Sequence, residues 1–214
     1  MNRRRAYLVI LGSLAVAWST AGRAAENDPM NITEGALDEI HLKVPTLSAG
    51  APIVIRPFTT EGADLGTGGK DAKNEQRLNA TRIMLKIAPE LLVEGFNAAL
   101  AEGGVFPAAL APGCEVVPEN ALVIEGKFLR IDPGSRAKRY WAGFGAGKSG
   151  VQVTGTLKDA SGKVLAEFTH MKNSGFGIGG GDYAKFLSDD SRDVGRDLAL
   201  FLTKWATRKD LHKD

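Results

Sequence analysis

Between Val151 and Lys158, apolar positions alternate with polar ones: Val151, Val153, Gly155 and Leu157 against Gln152, Thr154, Thr156 and Lys158. A period of two predicts a half-buried strand with one face on a core and one in water. Asp159-Ala160-Ser161-Gly162 has the composition of a tight turn. Val164 to Met171 returns with Val164, Ala166 and Phe168 on one side, so the two runs read as a hairpin. Ala121 to Ile131 is a longer apolar, β-branched run closed by Asp132-Pro133-Gly134, which predicts a central strand. Ile53-Val54-Ile55, between Pro52 and Pro57, predicts a short buried strand with proline confined to its ends.

Elsewhere the period lengthens. Leu78, Met84, Ile87, Leu91 and Leu92 recur at spacings of three or four or their sums, and Phe96, Ala99 and Leu100 extend the stripe. This predicts a helix from about Glu75 to about Glu102, kinked or restarted at Pro89 and stopped by Gly103-Gly104. Val194, Leu198, Phe201 and Trp205 form one apolar face of a last helix. Ser188, Asp189 and Asp190 read as its cap and first-turn acids. Residues 59–74 are a polar, glycine-rich loop, and 25–50 a weakly patterned leader, flexible until order begins near Leu42. The order strand, long helix, strand, hairpin, helix predicts a single α+β domain over 51–209. It has two layers, a mostly antiparallel sheet of about four strands with two long helices on one face.

The start of the chain follows another logic. Arg3, Arg4 and Arg5 precede an apolar run from Ala6 to Ala17, and Gly22 and Ala24 supply small residues at −3 and −1 for cleavage. This predicts a signal peptide over 1–24, its core too short for the roughly 20 residues of a spanning helix. Removing it changes the charge. The full chain has 27 basic and 25 acidic residues, but four of the basic ones and no acid lie in 1–24. The remainder carries −2, so global charge predicts no nucleic-acid partner.

Composition narrows the chemistry further. Cys114 is the single cysteine, which excludes a disulfide framework within the chain and a multi-cysteine zinc site. It reads as a part-buried free thiol, with pairing between chains left open. His41, His170 and His212 share no ligand spacing, and His170, at a strand end, reads as a surface residue. No nucleophile elbow or Ser–His–Asp pattern is visible, and the acids Asp189 and Asp190 are better explained as a helix start than as an acid–base pair. The expectation is a protein with no catalytic residue, no metal and no cofactor.

One segment concentrates unusual residues. Between Gly134 and Gly150 lie Arg136, Lys138, Arg139, Tyr140, Trp141, Phe144, Gly145, Gly147, Lys148 and Ser149. Ala142 to Ser149 meets a relaxed phosphate-loop pattern, with Lys148 for terminal phosphates and Ser149 for Mg²⁺. A phosphate loop follows a buried strand and opens a helix. Here basic and aromatic residues precede the run and a period-two strand comes after it. A glycine-dense crossing between strands fits better. A second cluster, Gly175-Phe176-Gly177-Ile178-Gly179-Gly180-Gly181, comes to the same end of the sheet if the hairpin returns the chain there. The candidate contact residues are Arg136, Arg139 and Lys148 as polar anchors, Trp141 and Phe144 as apolar ones, with Gly145, Gly147 and Ser149 shaping the segment.

Asp132-Pro133-Gly134-Ser135-Arg136, then Gly143 to Ser149 and the period-two strand, resembles a bacterial family, the domain of unknown function 4410. Ile87-Ala88-Pro89 and the strand from Ile53 to Phe58 look like it too, so the resemblance spans about residues 50–207. It implies an envelope protein with a signal peptide, often a lipoprotein one. This chain has no cysteine after its apolar run, so lipid tethering is not implied. The family brings no established activity and no catalytic residues. The expectation is a non-enzymatic binding or assembly module, secreted across the inner membrane and periplasmic, with peripheral attachment at the outer membrane left open. Its expected partner is an envelope protein or a second copy of itself, with anionic lipid or glycan as a further contact. The alternative is a phosphate- or nucleotide-binding protein using Ala142 to Ser149.

Overall fold

The computed structural model describes residues 30–32, 37–66, 75–110, 117–134, 149–173 and 183–207. The strands are β1 (Met30–Ile32), β2 (Glu39–Leu42), β3 (Ile53–Ile55), β4 (Leu122–Asp132), β5 (Gly150–Asp159) and β6 (Val164–Lys172). The helices are α1 (Glu75–Gly103) and α2 (Tyr183–Ala206). The strands form one sheet in the order β1-β2-β6-β5-β4-β3. All neighbours are antiparallel except β3 and β4. The α+β class, the mostly antiparallel sheet and the two helices are as the patterning predicts, with six strands instead of about four.

The extra strands come from the stretch read as a leader. Glu39–Leu42 pairs with β6, Ile40 opposite Phe168 and Leu42 opposite Ala166, and Met30–Ile32 adds outside it. Two core side chains, Ile40 and Leu42, drive this, and two apolar positions are too few to register as a period.

Antiparallel partners share a face. Ile124 opposite Leu157, Phe128 opposite Val153 and Ile131 opposite Val151 are all buried under the helices. From α1 the core takes Met84, Leu92, Phe96 and Leu100, and from α2 Val194, Leu198, Phe201 and Trp205. The opposite sheet face carries no helix among the described residues.

Two helix details depart from the expected pattern. α1 does not restart at Pro89. Proline has no N–H to give the carbonyl of Leu85 four residues back. The Thr60 hydroxyl donates to that carbonyl instead, at 3.1 Å. α2 begins at Tyr183, so Ser188, Asp189 and Asp190 are not its cap. Ser188 donates to the Ala184 carbonyl and Ser191 to that of Leu187, at 2.8 and 2.7 Å. Bonding back gives each hydroxyl an acceptor within the helix, so neither serine is left polar and unpaired. Asp189 pairs with Lys185 one turn earlier, at 2.7 Å.

The hairpin turn forms as its residues suggest. The Asp159 carboxylate accepts from the amides of Ser161 and Lys163, and Gly162 takes φ +89°.

Candidate functional site

Of the candidate contact residues, Ser149 alone lies within the described residues; Arg136, Arg139, Trp141, Phe144, Gly145, Gly147 and Lys148 lie outside them, as do residues 1–24, Cys114 and the cluster from Gly175 to Gly181. Ser149 is fully buried, and the chain enters strand β5 directly after it. At this position the helix N-terminus of a phosphate loop is replaced by a strand.

The stems on either side of these segments are placed. Asp132 at the end of β4 stands opposite Gly150 at the start of β5. The Asp132 carboxylate accepts from the Gly134 amide at 2.8 Å and pairs with Arg130. A side chain on Gly150 would meet Asn173, at the end of β6, so the second stem adjoins the first. A third chain path arrives here too. Beyond β3, residues 59–64 continue in parallel along β4, with Thr59 beside Lys127 and Asp64 beside Arg130. A register shift between Phe128 and Arg130 leaves the Leu129 carbonyl to accept from the Asp64 amide at 2.8 Å. Gly66 then lies against Asp132, where a Cβ would collide with the carboxylate. The stems of 67–74, 135–148 and 174–182 therefore share one end of the sheet.

The same end holds a buried charge cluster. His170 is 4% exposed. Its Nδ1 lies 3.0 Å from Asp38 and its Nε2 2.8 Å from Asp197 on α2. Lys172 approaches Asp197 at 2.6 Å, and Asp38 also accepts from the Met171 amide at 2.6 Å. This corrects the surface reading of His170. Alternation along β6 places residue 170 on the core side, with Ala166 and Phe168. The residues that make a polar group tolerable there are 132 and 27 positions away.

Burial raises the Asp197 carboxyl, and the hydrogen bonds and charges of His170 and Lys172 outweigh that, holding it below its ordinary value. A depressed carboxylate contributes stability that is complete above its unfolded value, about pH 4, and drains as pH falls through the folded one. Wild-type urea midpoints should therefore fall on acidification below about pH 4. Asp197→Asn should start lower and show a flatter acid limb. Parallel acid limbs would remove Asp197 from the acid response.

The helix-free face of the sheet is apolar at its β3 edge, where Val54, Ala121 and Val123 cluster, and polar elsewhere. A shallow depression of about 590 Å³ is lined by Glu39, His41, Glu125, Lys127, Thr154 and Glu167 among others. Three ion pairs cross between chain segments here: Arg56 with Glu125 at 2.9 Å, Lys43 with Glu167 at 3.1 Å, and Lys158 with Glu125. Lys158 first, then Arg56, hold Glu125 below the usual carboxylate range against a smaller effect of burial. Exposed pairs of this kind each contribute about 0–1 kcal/mol and suit a wetted sheet face. No group of three or more His, Cys, Asp or Glu side chains among the described residues could hold a metal ion. No helix among them is long and apolar enough to cross a membrane.

The family model described as "Domain of unknown function (DUF4410)" matches residues 53–177. No curated protein matches the chain. Among solved structures the chain is similar to the PelC dodecamer from Paraburkholderia phytofirmans. The identity is 15% and the TM-score 0.41, over 74% of this chain and 95% of that one. A methionine-substituted variant of that dodecamer gives 17% and 0.41, over 74% and 96%.

Proposed function

This chain belongs to the DUF4410 family, and from that premise we propose that it is a non-enzymatic binding or assembly module of the bacterial envelope. The contact surface is the end of the sheet from which residues 136–149 depart, and the signal peptide over 1–24 delivers it to the periplasm. The supporting observation is the convergence of stems: Asp132 opposite Gly150, with Gly150 against Asn173 and Gly66 against Asp132. The described stems of 135–148 and 174–182 thus sit together on one platform, which supports a contact role for Arg136, Arg139, Trp141, Phe144 and Lys148. Segments projected from a firm scaffold are where binding residues concentrate.

A photo-crosslinking residue at Phe144 in living cells tests this. The expected product is one dominant adduct, an envelope protein or a second copy of this chain, identified by mass spectrometry. Replacing Gly145 and Gly147 together with valine should abolish the adduct while thermal unfolding stays within a few degrees of wild type. An absent adduct, or an adduct the double variant retains, would sink the proposal. Unfolding of the double variant would make the segment part of the architecture instead.

A further inference from the structure

The cluster around His170 joins three parts of the molecule: the N-terminal segment, strand β6 and helix α2. Asp38 stands one step beyond β2, opposite His170 in the register that pairs Glu39 with Thr169. A carboxylate accepts hydrogen bonds and donates none. With one carboxylate at each nitrogen, the ring satisfies both only as an imidazolium.

The surroundings decide which hydrogen bond breaks when that ring loses a proton. From the N-terminal segment Asp38 faces it, and from α2 Asp197 does. On β6, Lys172 reaches Asp197, and β5 opposes the ring with Val153, which is apolar. Asp193, one turn before Asp197, is exposed. In the protonated state two cations balance two carboxylates. In the neutral state one ring nitrogen turns a lone pair toward a carboxylate. Asp197 is 16% exposed, retains Lys172 and is fixed in a packed helix. Asp38 is 60% exposed, so water and the Met171 amide can satisfy it without the ring. The remaining ring proton therefore stays with Asp197, and the hydrogen bond to Asp38 breaks.

We infer that His170 is a proton-dependent latch that holds the N-terminal β1–β2 arm against the core at the end of the sheet where the loop stems converge. Protonated, it docks the arm; neutral, it leaves Asp38 held by the Met171 amide alone, beside the backbone ladder of β2 to β6. The latch stands two residues before Lys172 and three before Asn173, so the arm is gripped beside the stem of 174–182.

Amide hydrogen exchange on the full secreted chain tests the latch. Rates are normalised for intrinsic pH dependence and taken on either side of the ring's titration, which is followed by its own nitrogen shifts. A charge-assisted hydrogen bond is at stake, so β2 amides should lose at least about tenfold in protection as the ring becomes neutral. Amides of β4 and β5 should not change. Asp38→Asn should remove the dependence, because a neutral amide oxygen fixed by the Met171 amide has no charge-assisted bond to the ring to lose. His170→Gln should hold β2 at the low protection of the neutral state at every pH. It carries more risk to folding, and Asp38→Asn on the surface does not. Unchanged β2 protection across the titration, an equal fall in β4 and β5, or a pH response that persists in Asp38→Asn would each overturn the latch.

Discussion

Gly195→Ala is expected to lower the stability of the protein by about 2 kcal/mol, although it replaces the poorer helix former with the best one. The helices α1 and α2 meet backbone to backbone at this point. A Cβ on Gly195 would press into the Leu92 carbonyl oxygen and stand 2.8 Å from the Phe96 amide nitrogen. The contact is reciprocated, since a Cβ on Gly95 would stand 2.8 Å from the Arg192 Cα. Neither neighbour is the flexible end of a side chain, so relief requires the helices to move apart. That separation loosens the packing of Leu92, Phe96, Val194 and Leu198, all buried in the core. Alanine returns about 1 kcal/mol of helix propensity, which overpacking against fixed backbone exceeds. The converse change at an exposed position of α1, Ala98→Gly, should cost only about 1 kcal/mol. Denaturant midpoints of the two variants against wild type check the contrast. A neutral or stabilising Gly195→Ala would mean that the two backbones do not touch.

Phe58→Ala should cost more, about 3–5 kcal/mol. Gly126 on β4 stands directly opposite Gly155 on β5, which leaves a trough across the core face of the sheet. Aromatic rings fill it. Phe58 lies over Gly126, where a Cβ would come within 2.6 Å of the ring, and Phe168 covers Gly155 in the same way. The Phe58 ring stacks on Phe168 at 6.4 Å and meets Phe128 edge-on at 6.3 Å. Removing it empties a site that is 2% exposed and uncovers Gly126, while Phe168 loses its stacking partner over Gly155. It also frees the path from β3 to Asp64, which hangs on β4 through Thr59 and Asp64. Phe58→Leu keeps an apolar filling and should lose less than half as much. Equal losses in the two variants would mean that ring stacking, not volume, holds this corner.

Several elements of this protein are legible in the sequence because their cause is local. The β5–β6 hairpin comes from a period of two on each side of Asp159 to Gly162, where one carboxylate closes the turn. The apolar face of α2 comes from the spacing of Val194, Leu198, Phe201 and Trp205, all buried. The stems of the two glycine-rich segments meet where the hairpin returns the chain, with Gly150 in register with Asp132 and against Asn173. The candidate contact residues are another matter. Ser149 is the one placed, and it is buried in a strand stem.

Other features depend on pairs that no window of the sequence contains. Pro89 sits inside a continuous helix because Thr60, 25 residues upstream of Leu85, takes up the stranded carbonyl. The helix α2 starts at Tyr183, and Ser188 and Ser191 lie inside it with their hydroxyls on carbonyls one turn back. His170 is tolerable in the core because Asp38 and Asp197 reach it from opposite ends of the chain. Periodicity and turn chemistry act over a few residues, so composition at that range determines them. The order of strands, the glycine crossing of the helices and the charge balance around a buried imidazole act across long sequence distances, where burial makes each partner's absence costly, and only the tertiary structure decides them.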